Sequence, residues 1–129
     1  MPFQIYDFVN SDGLNEFREW TSDLQKPQRA KLNEKIDKLM LYGDLLHPEM
    51  LTGTSIAGIK KLRCRGKVQL RPLLCNGPIN IFLEYTMLMG AKEIGDKWVP
   101  KGAPSSANNK KTEVINDPIN RRIEHEEVL

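Results

Sequence analysis

Apolar and polar positions alternate at the start of the chain. Phe3, Ile5 and the run from Tyr6 to Val9 predict a short strand, stopped by the turn formers Asn10-Ser11-Asp12-Gly13. The period then changes. Leu14, Phe17 and Leu24 recur at roughly helical spacing, and Ser11 or Asp12 is placed to accept from the first free N–H groups of a helix. Lys26-Pro27 interrupts that helix, because proline is unwelcome inside a helix but suits the first turn of the next. From Gln28 to Tyr42 the apolar residues Ala30, Leu32, Ile36, Leu39 and Met40 make one stripe, and Gly43 is placed to end the helix. These segments predict a helical hairpin packed on a sheet.

Residues 44–58 read as a loop, broken by His47-Pro48 and Thr52-Gly53-Thr54-Ser55. Three β-prone runs follow: Ile59 to Cys64, Val68 to Leu74 and Ile79 to Leu88. They are separated by Arg65-Gly66-Lys67 and Asn76-Gly77-Pro78, which predicts an antiparallel meander. Pro72 removes a ladder donor and marks a gap or a strand end. Period-two alternation puts Leu62 and Cys64 on one face of the first run and Lys61, Arg63 and Arg65 on the other. The third run buries Ile81, Leu83, Tyr85 and Met87 by the same rule. Ala91 to Pro104 reads as an irregular extension over the sheet, followed by a helix from about Ser105 that Asp117-Pro118 breaks. Together the elements predict an α+β fold, a helical hairpin on a small antiparallel sheet in the order β-α-α-β-β-β-α. It forms one domain over residues 1–129, with a polar tail from about 118 to 129.

Composition fits this picture, at 40% hydrophobic and 28% charged residues over 129 positions. No apolar run is long enough to span a membrane, and the N-terminus lacks the basic start and apolar stretch of a secretory leader, so a cytoplasmic protein is expected. The net charge of +2 conceals a segregation of signs. Residues 1–25 hold five acids against Arg18 alone, and residues 113–129 hold five against Arg121 and Arg122. Lys60, Lys61, Arg63, Arg65, Lys67 and Arg71 are six cations with no acid between them. On adjacent strands they lie roughly five ångströms apart, comparable to the spacing of phosphates along a nucleic-acid strand. No glycine-rich cradle follows a strand, which favours RNA over a small phosphate as the anion; a solvated face, partly paired to Glu84, Glu93 or tail acids, is the competing reading.

Cleavage of RNA through its 2′-hydroxyl needs a base for that hydroxyl, a donor for the leaving oxygen and cations around the phosphate; no metal or other cofactor is required. Lysine serves as base where neighbouring cations and partial burial penalise its charged form, and Lys61 beside Arg63 fits. His47 in a Pro-bounded loop and His125 in the acidic tail lack companions at triad or ligand spacing, so neither is expected to be catalytic. Trp98 can stack on a base but more commonly such a residue covers a core, and Trp20 reads as structural. Cys64 and Cys75 are expected to be free thiols, without the partners of a zinc site.

The run IKKLRCRGKVQLRPLLCNGPINIFLEYTMLMGAKE, followed by GDKWVPKGAP and a helix with NDPINRR, resembles the RelE/ParE toxin superfamily, especially its phage-derived, HigB-like members. The resemblance covers about residues 2–122, with Arg63, Arg71 and Gly90-Ala91-Lys92-Glu93 its specific part. It implies the toxin of a toxin-antitoxin pair, a metal-independent endonuclease that cuts messenger RNA on the ribosome, held in check by an antitoxin of helix-turn-helix type. By position it implies Lys61, Arg63, Arg71 and Lys92 as catalytic residues. Lys60, Arg65, Lys67, Glu93 and Lys97 then hold the RNA. Leu70 stands where the family has an aromatic, and the tyrosine or histidine of many active members near the C-terminus has no clear counterpart. A non-enzymatic relative, a gyrase inhibitor or a phage accessory binding module, is the alternative.

Overall fold

The computed structural model describes residues 2–129. Strand β1 (Gln4–Phe8) leads into helices α1 (Glu16–Asp23) and α2 (Lys26–Tyr42). Strands β2 (Leu51–Gly53), β3 (Lys60–Leu62), β4 (Gln69–Leu70), β5 (Leu73–Asn76), β6 (Glu84–Met89), β7 (Lys92–Ile94) and β8 (Lys97–Val99) follow. Helix α3 (Ala103–Asn116) and strand β9 (Arg122–Glu124) close the chain. The fold is α+β, with a six-stranded sheet in the order β2-β3-β5-β6-β1-β9 and a small antiparallel sheet β4-β7-β8. The β3-β5-β6 meander is antiparallel as alternation predicts, but β1 inserts parallel to β6, so the main sheet is mixed. Local periodicity carries no information on that pairing, which joins the two ends of a long connection.

Both faces of the main sheet are covered. Ile5, Leu62, Leu74, Tyr85 and Met87 pack on Phe17 of α1 and on Leu32, Ile36 and Leu39 of α2. Phe8, Leu73, Cys75 and Leu88 pack on Ala103, Ala107 and Val114 of α3. Burial on both sides is why Leu73 to Cys75 of β5 and Met87 to Met89 of β6 are apolar at successive positions and not at alternate ones. Cys64 and Cys75 fall in opposite layers and are free thiols; burial pushes Cys64 up to about 12 and Cys75 to about 11.

Several elements depart from the sequence expectations. Asn15, not Ser11 or Asp12, caps α1, its Oδ1 accepting from Arg18 N at 2.9 Å. The Asn10-to-Gly13 cluster closes a turn of its own, with Asn10 Oδ1 accepting from Asp12 N and Leu14 N, and Leu14 is exposed. Ala30 is exposed on α2, whose buried side is completed by Asn33, donating to Val128 O at 2.9 Å. The loop expected over 44–58 contains β2, which pairs with β3. The second β-prone run does end a strand where Pro72 marks one, dividing into β4 and β5 at Arg71-Pro72 because proline has no N–H to give a ladder. The third run starts as strand only at Glu84. Before it, Asn80 O accepts from Glu84 N and Asn80 N donates to Glu84 Oε1, closing a turn that leaves Ile81 and Leu83 exposed.

The expected irregular extension is a hairpin, β7-β8, turning through Gly95-Asp96 with Gly95 at φ +63°. Gly-Asp is a recognised two-residue hairpin signal because its first position favours positive φ. Within the polar tail expected from about 118 to 129, strand β9 pairs antiparallel with β1. Arg122 reaches across Tyr6, its guanidinium carbon 3.9 Å from the ring centroid, to a buried ion pair with Glu84. On the opposite face Asp7, 1% exposed, accepts from Asn15 Nδ2 at 3.0 Å and lies 2.8 Å from His125 Nδ1.

Gly90 joins β6 to the β7-β8 hairpin, and a side chain there would collide with the Trp20 indole, which is itself stacked on Phe17. Gly90→Ala is therefore expected to destabilise the fold by about 1–3 kcal/mol, as overpacking does. The midpoint of urea unfolding reads this directly, and an unchanged midpoint would mean Trp20 moves aside freely.

Candidate nucleic-acid interface

Strand β3 runs Lys60-Lys61-Leu62, and Leu62 must face the helical hairpin to complete the core. Alternation then sends Lys61, Arg63 and Arg65 to the other face. The small sheet β4-β7-β8 stands beside them. The result is an open groove of about 570 Å³ lined by Lys61, Arg63, Arg65, Gln69, Arg71 and Glu93.

Arg71 is the buried member, its side chain 10% exposed. Its Nη1 donates to Leu70 O and its Nη2 to Gln69 Oε1, both at 2.9 Å. Its Nε lies 3.4 Å from Glu93 Oε1, an ion-pair distance without hydrogen-bond alignment. Burial pushes the Arg71 guanidinium below its ordinary value; Glu93 opposes this, while Arg63 and Arg65 add to it. The same Glu93 oxygen accepts from Lys61 Nζ at 2.6 Å, and that ammonium lies 5.3 Å from the centroid of the Trp98 ring. Glu93 is thus held between a lysine and a buried arginine, and the cations are not uncompensated at this point. Their acid lies in another strand, and the register Gln69↔Glu93 brings it there.

The structure therefore gathers Lys61, Arg63, Arg65, Arg71 and Glu93 and separates the other candidates from them. Lys60 faces the opposite side and pairs with Asp44 at 3.2 Å. Burial works to raise the Asp44 carboxyl, but the Tyr85 hydroxyl and the Lys60 charge outweigh it and hold the carboxyl below its ordinary value. Lys67 lies in the turn between β3 and β4, beside a different pocket. Lys92 and Lys97 do not line the groove; Lys92 precedes Glu93 in β7 and so takes the other face of the hairpin, while Lys97 lines a separate depression with Trp98 and Ile94.

Gln69 was not singled out by sequence, since a glutamine in a short strand carries no signal until its register with Glu93 is known. Trp98 covers the α3-side core, as expected, besides facing Lys61. His125 lies at the far edge of the main sheet from β3, beside Asp7 and Phe17. Among the described residues no helix is long and apolar enough to cross a membrane. No family model matches this chain, and no curated protein or solved structure is significantly similar to it.

Proposed function

We propose that the groove binds the phosphodiester backbone of RNA and cleaves it through the 2′-hydroxyl, and that the protein is the toxin of a toxin-antitoxin pair acting on messenger RNA at the ribosome. One observation carries the reading: a carboxylate in contact with both a lysine and a buried arginine, in an open groove walled by two further arginines. In this arrangement Glu93 takes the 2′-hydroxyl proton while the 2′-oxygen attacks phosphorus, and the Lys61 ammonium gives a proton to the departing 5′-oxygen. The Glu93–Lys61 hydrogen bond then returns the proton from acid to amine. Arg71 and Arg63 offset charge on the crowded phosphate. Lys61 is thus the proton donor, and the base assigned to it from sequence moves to Glu93. The order of strand, helical hairpin, basic strand and post-strand Gly90-Ala91-Lys92-Glu93 supports the toxin reading, with a helix-turn-helix antitoxin as the partner that would restrain it.

The alternative, a non-enzymatic relative that binds gyrase or serves as an accessory module, draws support from the mutual charge compensation of Lys61, Arg71 and Glu93. Expression in a bacterial host separates the two. The endonuclease reading expects arrested translation with cleaved messages, both abolished by Arg71→Ala combined with Lys61→Ala in a variant whose circular dichroism is unchanged. DNA damage signalling with intact messages favours gyrase binding, and no growth defect favours the accessory role.

A further inference from the structure

The cations that lack a carboxylate partner are not those of the groove centre. Lys61 and Arg71 share Glu93, and Lys60 has Asp44. Among the described residues Arg63, Arg65 and Lys67 have no carboxylate within ion-pair distance, and neither have Lys31 and Lys35 of α2. Lys31 and Lys35 are one helical turn apart and point to the same side.

Three concavities run together along these five residues. The groove shares Arg63 and Arg65 with a shallow site that Lys35 also lines. Glu49 borders that second site, but its carboxylate pairs with none of the cations; only its backbone oxygen accepts from Arg63, at 3.3 Å. Arg65 in turn borders a third pocket of about 420 Å³, between the first turn of α2 and the turn from β3 to β4. That volume lies within the range of small-molecule sites. Pro27, Val68, Leu70 and Cys64 give this pocket apolar walls, and Lys31, Arg65 and Lys67 stand around it. Cys64 and Leu70 are bridged to each other and almost fully buried, which fixes the floor. The Lys31 ammonium lies directly over the turn, 3.1 Å from where a side chain on Gly66 would begin. Gln28 uses its side-chain oxygen to accept from Gln25 N at 3.4 Å, so its NH₂ is left to donate.

We infer that this pocket takes an unstacked base of single-stranded RNA, whose backbone leaves the groove over Arg63 and Arg65 and is neutralised by Lys31, Lys35 and Lys67. A flat apolar body between Pro27 and Val68 with a polar edge toward Gln28 and phosphates toward the lysines is the chemistry of a nucleotide. Paired bases cannot enter a pocket of this kind, so the substrate is single-stranded along this stretch. The inference deepens the proposed function and rests on it for the placing of the reacting phosphate in the groove.

Fluorescence anisotropy with 2′-O-methyl RNA, which cannot be cut through its 2′-oxygen, tests it on the full chain. The octanucleotide is expected to bind at least tenfold more tightly than the dinucleotide. Lys31→Ala with Lys67→Ala should remove that gain, flatten the salt dependence by about 0.7 per lysine lost, and leave the dinucleotide unaffected. An octanucleotide no tighter than the dinucleotide, one indifferent to the double variant, or an abasic octanucleotide that binds as tightly as the one with bases overturns the inference; dinucleotide binding that Arg71→Lys weakens would at the same time leave the groove reading standing. Octanucleotide binding that needs Lys31 and Lys67 while Arg71→Lys has no effect supports the track and removes the groove from the proposed function. Binding of neither RNA overturns both.

Discussion

Glu93→Gln is expected to lower RNA cleavage by about 10²–10⁴-fold, the contribution of a well-placed general base. The amide keeps the size of the carboxylate and can still accept from Lys61 Nζ, so the groove keeps its shape. What it loses is the proton acceptor and the negative charge shared by Lys61 and Arg71. Binding of uncleaved RNA should therefore tighten as cleavage falls, because two cations are released toward the phosphates. The opposed directions separate this role from a structural one: a distorted groove would weaken binding and cleavage together. Cleavage of a labelled RNA and anisotropy with its 2′-O-methyl analogue read the two effects on the same preparation. A variant that cuts as fast as the parent would return the base to another residue.

Glu84→Ala should be the most destabilising single change outside the apolar core, at about 3–5 kcal/mol. Glu84 and Arg122 have side chains only 8% and 7% exposed, and they hold each other across β1. Removing the carboxylate leaves a buried guanidinium whose remaining support is the face of Tyr6. It also frees Asn80 N, whose bond to Glu84 Oε1 shapes the turn before β6. Against a total stability of about 5–15 kcal/mol the loss is large. Urea denaturation measures it, and Glu84→Ala with Arg122→Ala should recover part of it, since no unpaired charge then stays buried. A single variant within about 0.5 kcal/mol of the parent would show that β9 is held by its backbone pairing alone.

The parts of the fold that depend on neighbours in sequence were readable, and the reasons are local. Helix α2 follows from the spacing of Leu32, Ile36 and Leu39 and ends at Gly43; α3 ends before Asp117-Pro118. The β3-β5-β6 meander follows from its turns, and the division of β4 from β5 from Pro72. Where reading failed, the deciding partner was distant. Ile81 and Leu83 alternate like strand residues, but β5 ends at Asn76 and offers them no ladder. The polar segment after residue 118 carries no local sign of its order, because the partners of its charges, Asp7 and Glu84, are distant in sequence. Gly95-Asp96 is the exception, a local hairpin signal in a segment otherwise dense with breakers.

The candidate site divides in the same way. Alternation along one strand is enough to place Lys61, Arg63 and Arg65 on a common face, since the side-chain period of a strand is fixed by its backbone. It cannot say what faces them. The register of β4 against β7 brings Glu93 to Lys61 and Arg71, and the sheet's two faces send Lys60 to Asp44, so charges that look alike in sequence become paired or free by tertiary position. Lys31 and Lys35, more than two dozen residues before the basic strand, join it only because α2 packs over the turn that follows β3. Strand periodicity alone thus places the cations on a common face, whereas the packing of strands and helices sets which of their charges stay open to a partner, because ion pairing depends on distance in space.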